Sequence, residues 1–270
     1  MALPPVLPME TTAGRFLVFA GRDIINRSIG KTGTWEPWTV DVAHALLTQA
    51  DPRPGTIVDA GANLGAIAIP LARRLPRAYT FHCFEMQRIV YYQLCGNIVL
   101  NGLENVHAHL LGLGAADETV DVPRPDYLTD ENIGAVSASQ TVRAQRGSMA
   151  TDRTGVATEP VRFSRLDSLN LQDVRLIKAD VEGMERDVLK GAGLTLARND
   201  YPPLILEIWK SGTPGAHTAE AEALLNHIAA LGYGFQVAGS LCIAQHTRRP
   251  WLKATWDAQA QTFRTALQQP

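Results

Sequence analysis

The stretch IKADVEGMERDVL, residues 177–189, starts as an apolar run and ends as an amphipathic helix, with acids at the join. Asp180 closes the strand pattern and Glu182 sits in the turn that follows, with Glu185 one helical turn further on. Acids placed there either favour the helix N-terminus through its dipole, worth ~0.3–1 kcal/mol, or face a ligand. Glu182 is the candidate general base, a role that contributes about 10²–10⁴-fold to a rate, and Asp180 is its catalytic partner. Glu185, flanked by Arg186 and Asp187, reads as the wet face of the helix. His217, in KSGTPGAHT, is a third candidate, as a base or a substrate contact.

A second constellation lies upstream. TIVDAGANLGAIAIPLA places Gly61 and Gly65 between a buried strand and a helix, with Asp59 two residues before the first glycine. Glycine at such a turn lets a ligand and the backbone approach closely. The spacing is G-x-x-x-G, which departs from the dinucleotide fingerprint G-x-G-x-x-G. Asp59 also puts negative charge where a pyrophosphate would sit. Glu85 ends the next strand, where a carboxylate can accept both ribose hydroxyls. Adenosine recognition without phosphate points to S-adenosylmethionine. The alternatives are an NAD-dependent oxidoreductase, which shares the turn and Glu85, and a non-catalytic protein with a methyltransferase-like fold.

These residues must be positioned by a scaffold, and from residue 56 the pattern alternates strand and helix. Such alternation predicts a parallel sheet covered on both faces. Strands are expected at 56–60, 79–85, 105–114, 174–180 and 203–209, with helices at 65–75, 89–102, 184–192 and 219–232. A hairpin is expected around Gly239-Ser240. In an open α/β sheet, ligands bind beyond the carboxyl ends of the strands. Asp59, Glu85, Asp180 and Glu207 should therefore meet on one rim. Residues 1–50 read as an N-terminal extension packing on the core and residues 51–250 as the main domain. Residues 115–165 read as a low-order insertion, and 251–270 as a helical tail.

Composition narrows the ligands. A net charge of −2 over 270 residues gives no footprint for nucleic acid or an anionic membrane, which favours a small-molecule substrate. The N-terminus lacks a signal-peptide pattern, no run spans a membrane, and Cys83, Cys95 and Cys242 read as reduced cysteines of a cytoplasmic protein. His107 and His109 share a strand face without a third ligand. Asp180, Glu182 and Glu207 are hard oxygen donors, but nothing in their spacing demands a metal, and none is expected.

The motifs VDAGANLGAIAIPLA, FEMQ with two downstream Asn, and LIKADVEGMERDVLKGA followed by PLILEIW resemble the FkbM family of S-adenosylmethionine-dependent methyltransferases. The likeness spans about residues 33–235, and its K-x-D-V-E-G-x-E motif is the more family-specific part. The resemblance implies a Rossmann-like, seven-stranded class I methyltransferase sheet, mostly parallel with a terminal antiparallel hairpin, and transfer of a methyl group to a hydroxyl of a sugar, polyketide or other secondary metabolite. Carried over, Asp59, Gly61, Ala62, Asn63 and Gly65 would wrap the methionine part of the cofactor, and Glu85 would hold the ribose. Met86 would pack on the adenine, with Gly114 near its edge, and Glu36 would close over the cofactor. Segment 137–160 departs from the family pattern and leaves the acceptor pocket unassigned. The Trp-bearing tail offers a surface for a homodimer.

Overall fold

The computed structural model describes residues 3–146, 156–208 and 218–268. The chain opens with a hairpin of β1 (Val6–Glu10) and β2 (Arg15–Phe19), then α1 (Ile24–Thr32) and α2 (Pro37–Ala45), which runs into a π-helical turn at Leu46–Ala50. The alternating unit follows: β3 (Thr56–Ala60), α3 (Ala68–Arg74), β4 (Thr80–Glu85), α4 (Arg88–Leu100) and β5 (Val106–Leu110). Next come β6 (Gly112–Leu113), β7 (Glu118–Pro123), α5 (Gln140–Arg146) and β8 (Thr158–Ser164). The core resumes with β9 (Val174–Ala179), α6 (Glu185–Lys190), α7 (Gly193–Arg198), β10 (Leu204–Glu207), α8 (Ala219–Ala230), β11 (Tyr233–Ala238) and β12 (Leu241–His246). It closes with β13 (Trp251–Asp257) and β14 (Thr262–Gln268).

Seven strands form one sheet in the order β11-β12-β10-β9-β3-β4-β5. β3, β4, β5, β9 and β10 are parallel, and β12 runs antiparallel between β10 and β11. This is the expected mostly parallel sheet with a terminal antiparallel hairpin. Strand alternation divides its apolar residues between two cores. Ile57, Phe81, Leu176 and Ile205 pack with Val40, Ala43 and Leu71. Val58, Ile177, Leu204 and Leu206 pack with Val188, Leu196, Leu224 and Ile228 on the opposite face. Pro70 sits in the first turn of α3, where proline is tolerated.

Two expectations need correction. The tail is a β-hairpin, not a helix, with Trp251 opposite Gln268 and Asp257 opposite Thr262. Its apolar residues satisfy a period of two as well as a helical one. The decisive contact is at Leu252, whose backbone N–H and C=O both bond the Gln245 side chain while its own side chain is fully buried. Trp256 packs edge-on against Trp38 of α2, their ring centroids 5.9 Å apart. The insertion is also more ordered than its composition suggests. β7 and β8 pair antiparallel, β6 adds alongside β8, and Ile133, Val136 and Ser137 are each 1% exposed. In the N-terminal extension, the first residues of GKTGTWEPW finish α1, which Asp23 caps.

Among the described residues, no helix is long and apolar enough to cross a membrane. The three cysteines are free, with Cys83 and Cys242 buried. His107 and His109 lie on edge strand β5, and His109 stacks on His82 of β4, with a ring nitrogen of each 3.1 Å apart.

Candidate active site

The site grows from a charge inside the sheet. Asp59 of β3 and Lys178 of β9 are direct cross-strand partners on one face, and both are buried. Lys178 Nζ lies 3.1 Å from Asp59 Oδ1 and 3.6 Å from Asp180 Oδ2, and donates to the Gly61 carbonyl at 2.9 Å. Burial alone would lower the lysine's pKa, but Asp59, Asp180 and Glu36 outweigh it and hold the ammonium charged. Among the described residues, no donor other than Lys178 reaches the Asp59 carboxylate. One buried ammonium therefore ties the glycine turn to the acidic end of β9. No role was assigned to Lys178 from the sequence, although a lysine inside the apolar run VRLIKA was a legible signal.

At the end of β3 the chain turns through Gly61, with φ of +72°. A Cβ there would fall 1.8 Å from the Asp180 carbonyl oxygen, so β3 and β9 can meet this closely only with glycine. The N–H groups of Gly61 and Ala62 both donate to the Phe84 carbonyl, and that of Asn63 donates to Glu85 Oε2 at 2.9 Å. The other Glu85 oxygen accepts from the Gln87 N–H at 2.8 Å. Burial raises the Glu85 carboxyl to about 7, against the pull of these two donors.

The end of β9 leads into the turn Val181–Gly183, where Glu182 takes a left-handed φ of +58° and Gly183 one of +91°. Such backbone costs a non-glycine residue ~1–2 kcal/mol and needs local support. Glu185 provides it: its Oε1 accepts from the N–H of Val181 at 2.9 Å and of Gly183 at 3.3 Å. Glu185 is thus not on the wet face of its helix. It is 4% exposed, and burial raises its carboxyl to about 7 despite those bonds. The wet face belongs to Arg186.

Two joined cavities surround these residues. One, of ≈ 440 Å³, is largely apolar, lined by Phe84, Met86, Leu111, Leu113, Phe163 and Met184. The other, of ≈ 660 Å³, carries Glu36, Asn63, Asn132, Glu182 and Glu207 around Lys178. Gly61, Glu85, Gly134, Asp180 and Glu182 border both. The expected residues Glu36, Gly61, Ala62, Asn63, Glu85, Met86, Asp180 and Glu182 are brought together here. Glu36 caps α2 in a left-handed conformation, accepts from Thr39 Oγ1, and is raised by burial and by Asp180. Carboxylate oxygens of Asp180, Glu182 and Glu207 lie within 4.8 Å of one another, a set of hard donors at the cleft mouth. Glu207 also borders a larger cavity of ≈ 900 Å³ between α5, α6 and α8.

Three expected residues are placed elsewhere, and one is not described. Asp59 points under the sheet to Lys178, not into the cleft. Gly65 is the floor of the turn against Ile69 and Leu94. Gly114 bonds the Ser164 carbonyl and abuts Gly191, leaving the cleft wall to Leu111, Gly112 and Leu113. His217 lies outside the described residues.

The Glu185 geometry has a measurable consequence. Its raised carboxyl contributes stability that is present below the ordinary carboxylate range and lost as pH rises through about 7. Glu185→Gln keeps an acceptor for both N–H groups without the charge. In thermal melts, parent stability should fall relative to Glu185→Gln between pH 5 and pH 8. Glu185→Ala should cost ~1–3 kcal/mol by stranding the two buried donors.

The Methyltransferase FkbM domain matches residues 59–235. A methyltransferase of Sordaria araneosa, sdnD, is 30% identical over 192 residues, covering 63% of this chain and 71% of its own. Methyltransferase 1 of Beauveria bassiana is 29% identical over 148 residues, covering 52% of this chain and 59% of its own, so the chain spans less than two thirds of that relative. Among solved structures, a methyltransferase FkbM from Methylobacillus flagellatus aligns with a TM-score of 0.44 at 16% identity, over 82% of this chain and 59% of that one. A SAM-dependent O-methyltransferase from Thermotoga maritima aligns with a TM-score of 0.45 at 11% identity, over 96% and 79%. With two thirds of its length matched by that domain, and with the domain's turn and acids assembled on one rim, the chain belongs to the FkbM methyltransferase family.

Proposed function

We propose that the protein is an S-adenosylmethionine-dependent O-methyltransferase acting on a hydroxyl of a small molecule. The observation that carries this reading is Glu85, held by the N–H groups of Asn63 and Gln87 at the junction of an apolar cavity and an acidic one. The chain's residues fit the cofactor. Glu85 suits a ribose diol, and Met86, Leu111, Leu113 and Phe163 offer apolar surface to an adenine. Gly61 leaves the turn bare beside Asp180 and Glu36, whose charges suit an ammonium and a sulfonium. Two phosphates would instead meet Glu36, Asp180 and Glu182, which counts against a dinucleotide. When bound, S-adenosylmethionine supplies an electrophilic methyl group.

The chain supplies position and a proton acceptor. Methyl transfer is an in-line displacement, governed chiefly by the placement of its two reactants. Lys178 and Glu185 fix the backbone on either side of Glu182, through Gly61 and Asp180 on one side and Val181 and Gly183 on the other. The Glu182 carboxylate takes the acceptor's hydroxyl proton, and Asp180 orients the cofactor. The adjoining cavity at Glu207, with the hydroxyls of Ser139, Thr141 and Thr218, suits a hydroxylated acceptor such as a sugar.

Two measurements test this. Glu182→Gln should lower turnover by about 10²–10⁴-fold with S-adenosylhomocysteine affinity nearly unchanged, whereas Asp180→Asn should weaken both. A Glu182→Gln enzyme as active as the parent excludes Glu182 as the base. Separately, the Glu85 carboxyl, raised to about 7, accepts both diol protons only when ionised. Calorimetric affinity for S-adenosylhomocysteine should therefore rise from pH 6 to pH 8, and Glu85→Gln should flatten that rise.

A further inference from the structure

Residues 131–138 of the insertion cross the cleft as a strap, and the structure shows what holds it there. The peptide unit at Ile133 is gripped from both sides. Its N–H donates to Asp23 Oδ1 at 3.0 Å, and its carbonyl accepts from Gln87 Nε2 at 2.7 Å. Alongside, the Ile24 N–H donates to the Glu131 carbonyl at 2.7 Å. The Ile133 side chain is 1% exposed, packed with Phe19, Val90 and Tyr127, and Val136 packs with Val122 and Phe163. Between these anchors, Gly134 borders both cavities, Asn132 borders the acidic one and Val136 the apolar one.

Asp23 itself lines neither cavity. It is 1% exposed and caps α1, its Oδ2 accepting from the Asn26 N–H and side-chain amide. Its other oxygen is spent on the strap, 110 residues away in sequence. Gln87 joins the same strap to the cleft floor, because its backbone N–H holds Glu85. We infer that Asp23 is a positioning residue for the cofactor: together with Gln87 it fixes the 131–138 strap over the cleft and so sets how tightly and how long the cofactor is held. Gly134 fits this role by having no side chain, since a Cβ there would fall 2.5 Å from Asn63 Nδ2 and force either that amide or the strap to shift.

The inference rests on the cofactor reading above, and the test separates the two. S-adenosylhomocysteine binding is measured by calorimetry, and its dissociation by stopped flow, for the full-length parent and four variants. Asp23→Ala should raise Kd about tenfold, mostly through faster dissociation, whereas Asp23→Asn keeps an acceptor for Ile133, gives up only the one for Asn26, and should weaken binding less. Asn26→Ala loosens the same helix cap and its tie to α4 but leaves the Asp23–Ile133 bond in place, so it reports the merely structural effect and should weaken binding less than Asp23→Ala. Gly134→Ala reaches the strap independently of the N-terminal region and should also speed dissociation, which keeps the test decisive if Asp23→Ala fails to fold. Parent-like Kd and dissociation rate in Gly134→Ala and in folded Asp23→Ala would overturn the inference, as would equal weakening by Asn26→Ala and Asp23→Ala. A parent that does not bind S-adenosylhomocysteine would overturn the cofactor reading itself, and the inference with it.

Discussion

The site depends on a lysine ammonium buried in a parallel sheet. Taking Lys178 and Asp59 out of water costs several kcal/mol per ion, and their attraction repays this only if the remaining hydrogen-bonding capacity is used. Lys178 uses it on the Gly61 carbonyl and on Asp180. The pair's contribution lies less in net stability than in location. It sets the ends of β3 and β9, the two central strands, so that the glycine turn and the acidic turn face each other. A sheet of the same topology with an apolar pair at these positions would keep its order of strands and lose that registration.

A second constraint is the stitching of the N-terminal extension to the domain. It is done by side-chain amides spaced along α4. Asn97 accepts from the Leu17 N–H and donates to the Leu64 carbonyl, and Asn101 bonds both the N–H and C=O of Arg15. Gln93 and Asn26 complete the link at 2.7 Å. β2 is thereby fixed against the glycine turn through one helix, and α1 through it to the strap. The extension is part of the cleft's architecture, contributing Ile25, Trp35 and Glu36 to its wall.

What was legible in the sequence follows from which forces are local. TIVDA and VRLIKA are continuous apolar runs followed by turn chemistry, and strand–helix alternation needs no tertiary knowledge to recognise. The meeting of the glycine turn, Glu85 and Asp180 on one rim was legible because each follows or ends a strand of the parallel sheet. Glu185 was not, because its burial follows from left-handed backbone at Glu182 and Gly183 that folds the turn back onto it. The tail WLKATWDAQAQTFRTAL fits both periods, and the side chains of Gln245 and Gln236, which bond the backbone of Leu252 and Ala254, favour the strand. The strap is not legible in the sequence because long-range hydrogen bonds hold it, with no periodic apolar face. Asp59 was read as facing the ligand, whereas the lysine across the strand claims it.

The most direct test is titration of S-adenosylhomocysteine into the parent and into the double variant Asp59→Asn, Lys178→Met. Removing both charges together leaves neither Asp59 nor Lys178 buried without the other, and Asp180, which also loses the ammonium, is partly exposed to water, so the variant should fold. The account predicts single-site binding by the parent and affinity weakened by about tenfold or more in the folded double variant, a loss of ~1.4 kcal/mol or more. Equal affinity in the two proteins would contradict the claim that the buried ammonium organises the cofactor site.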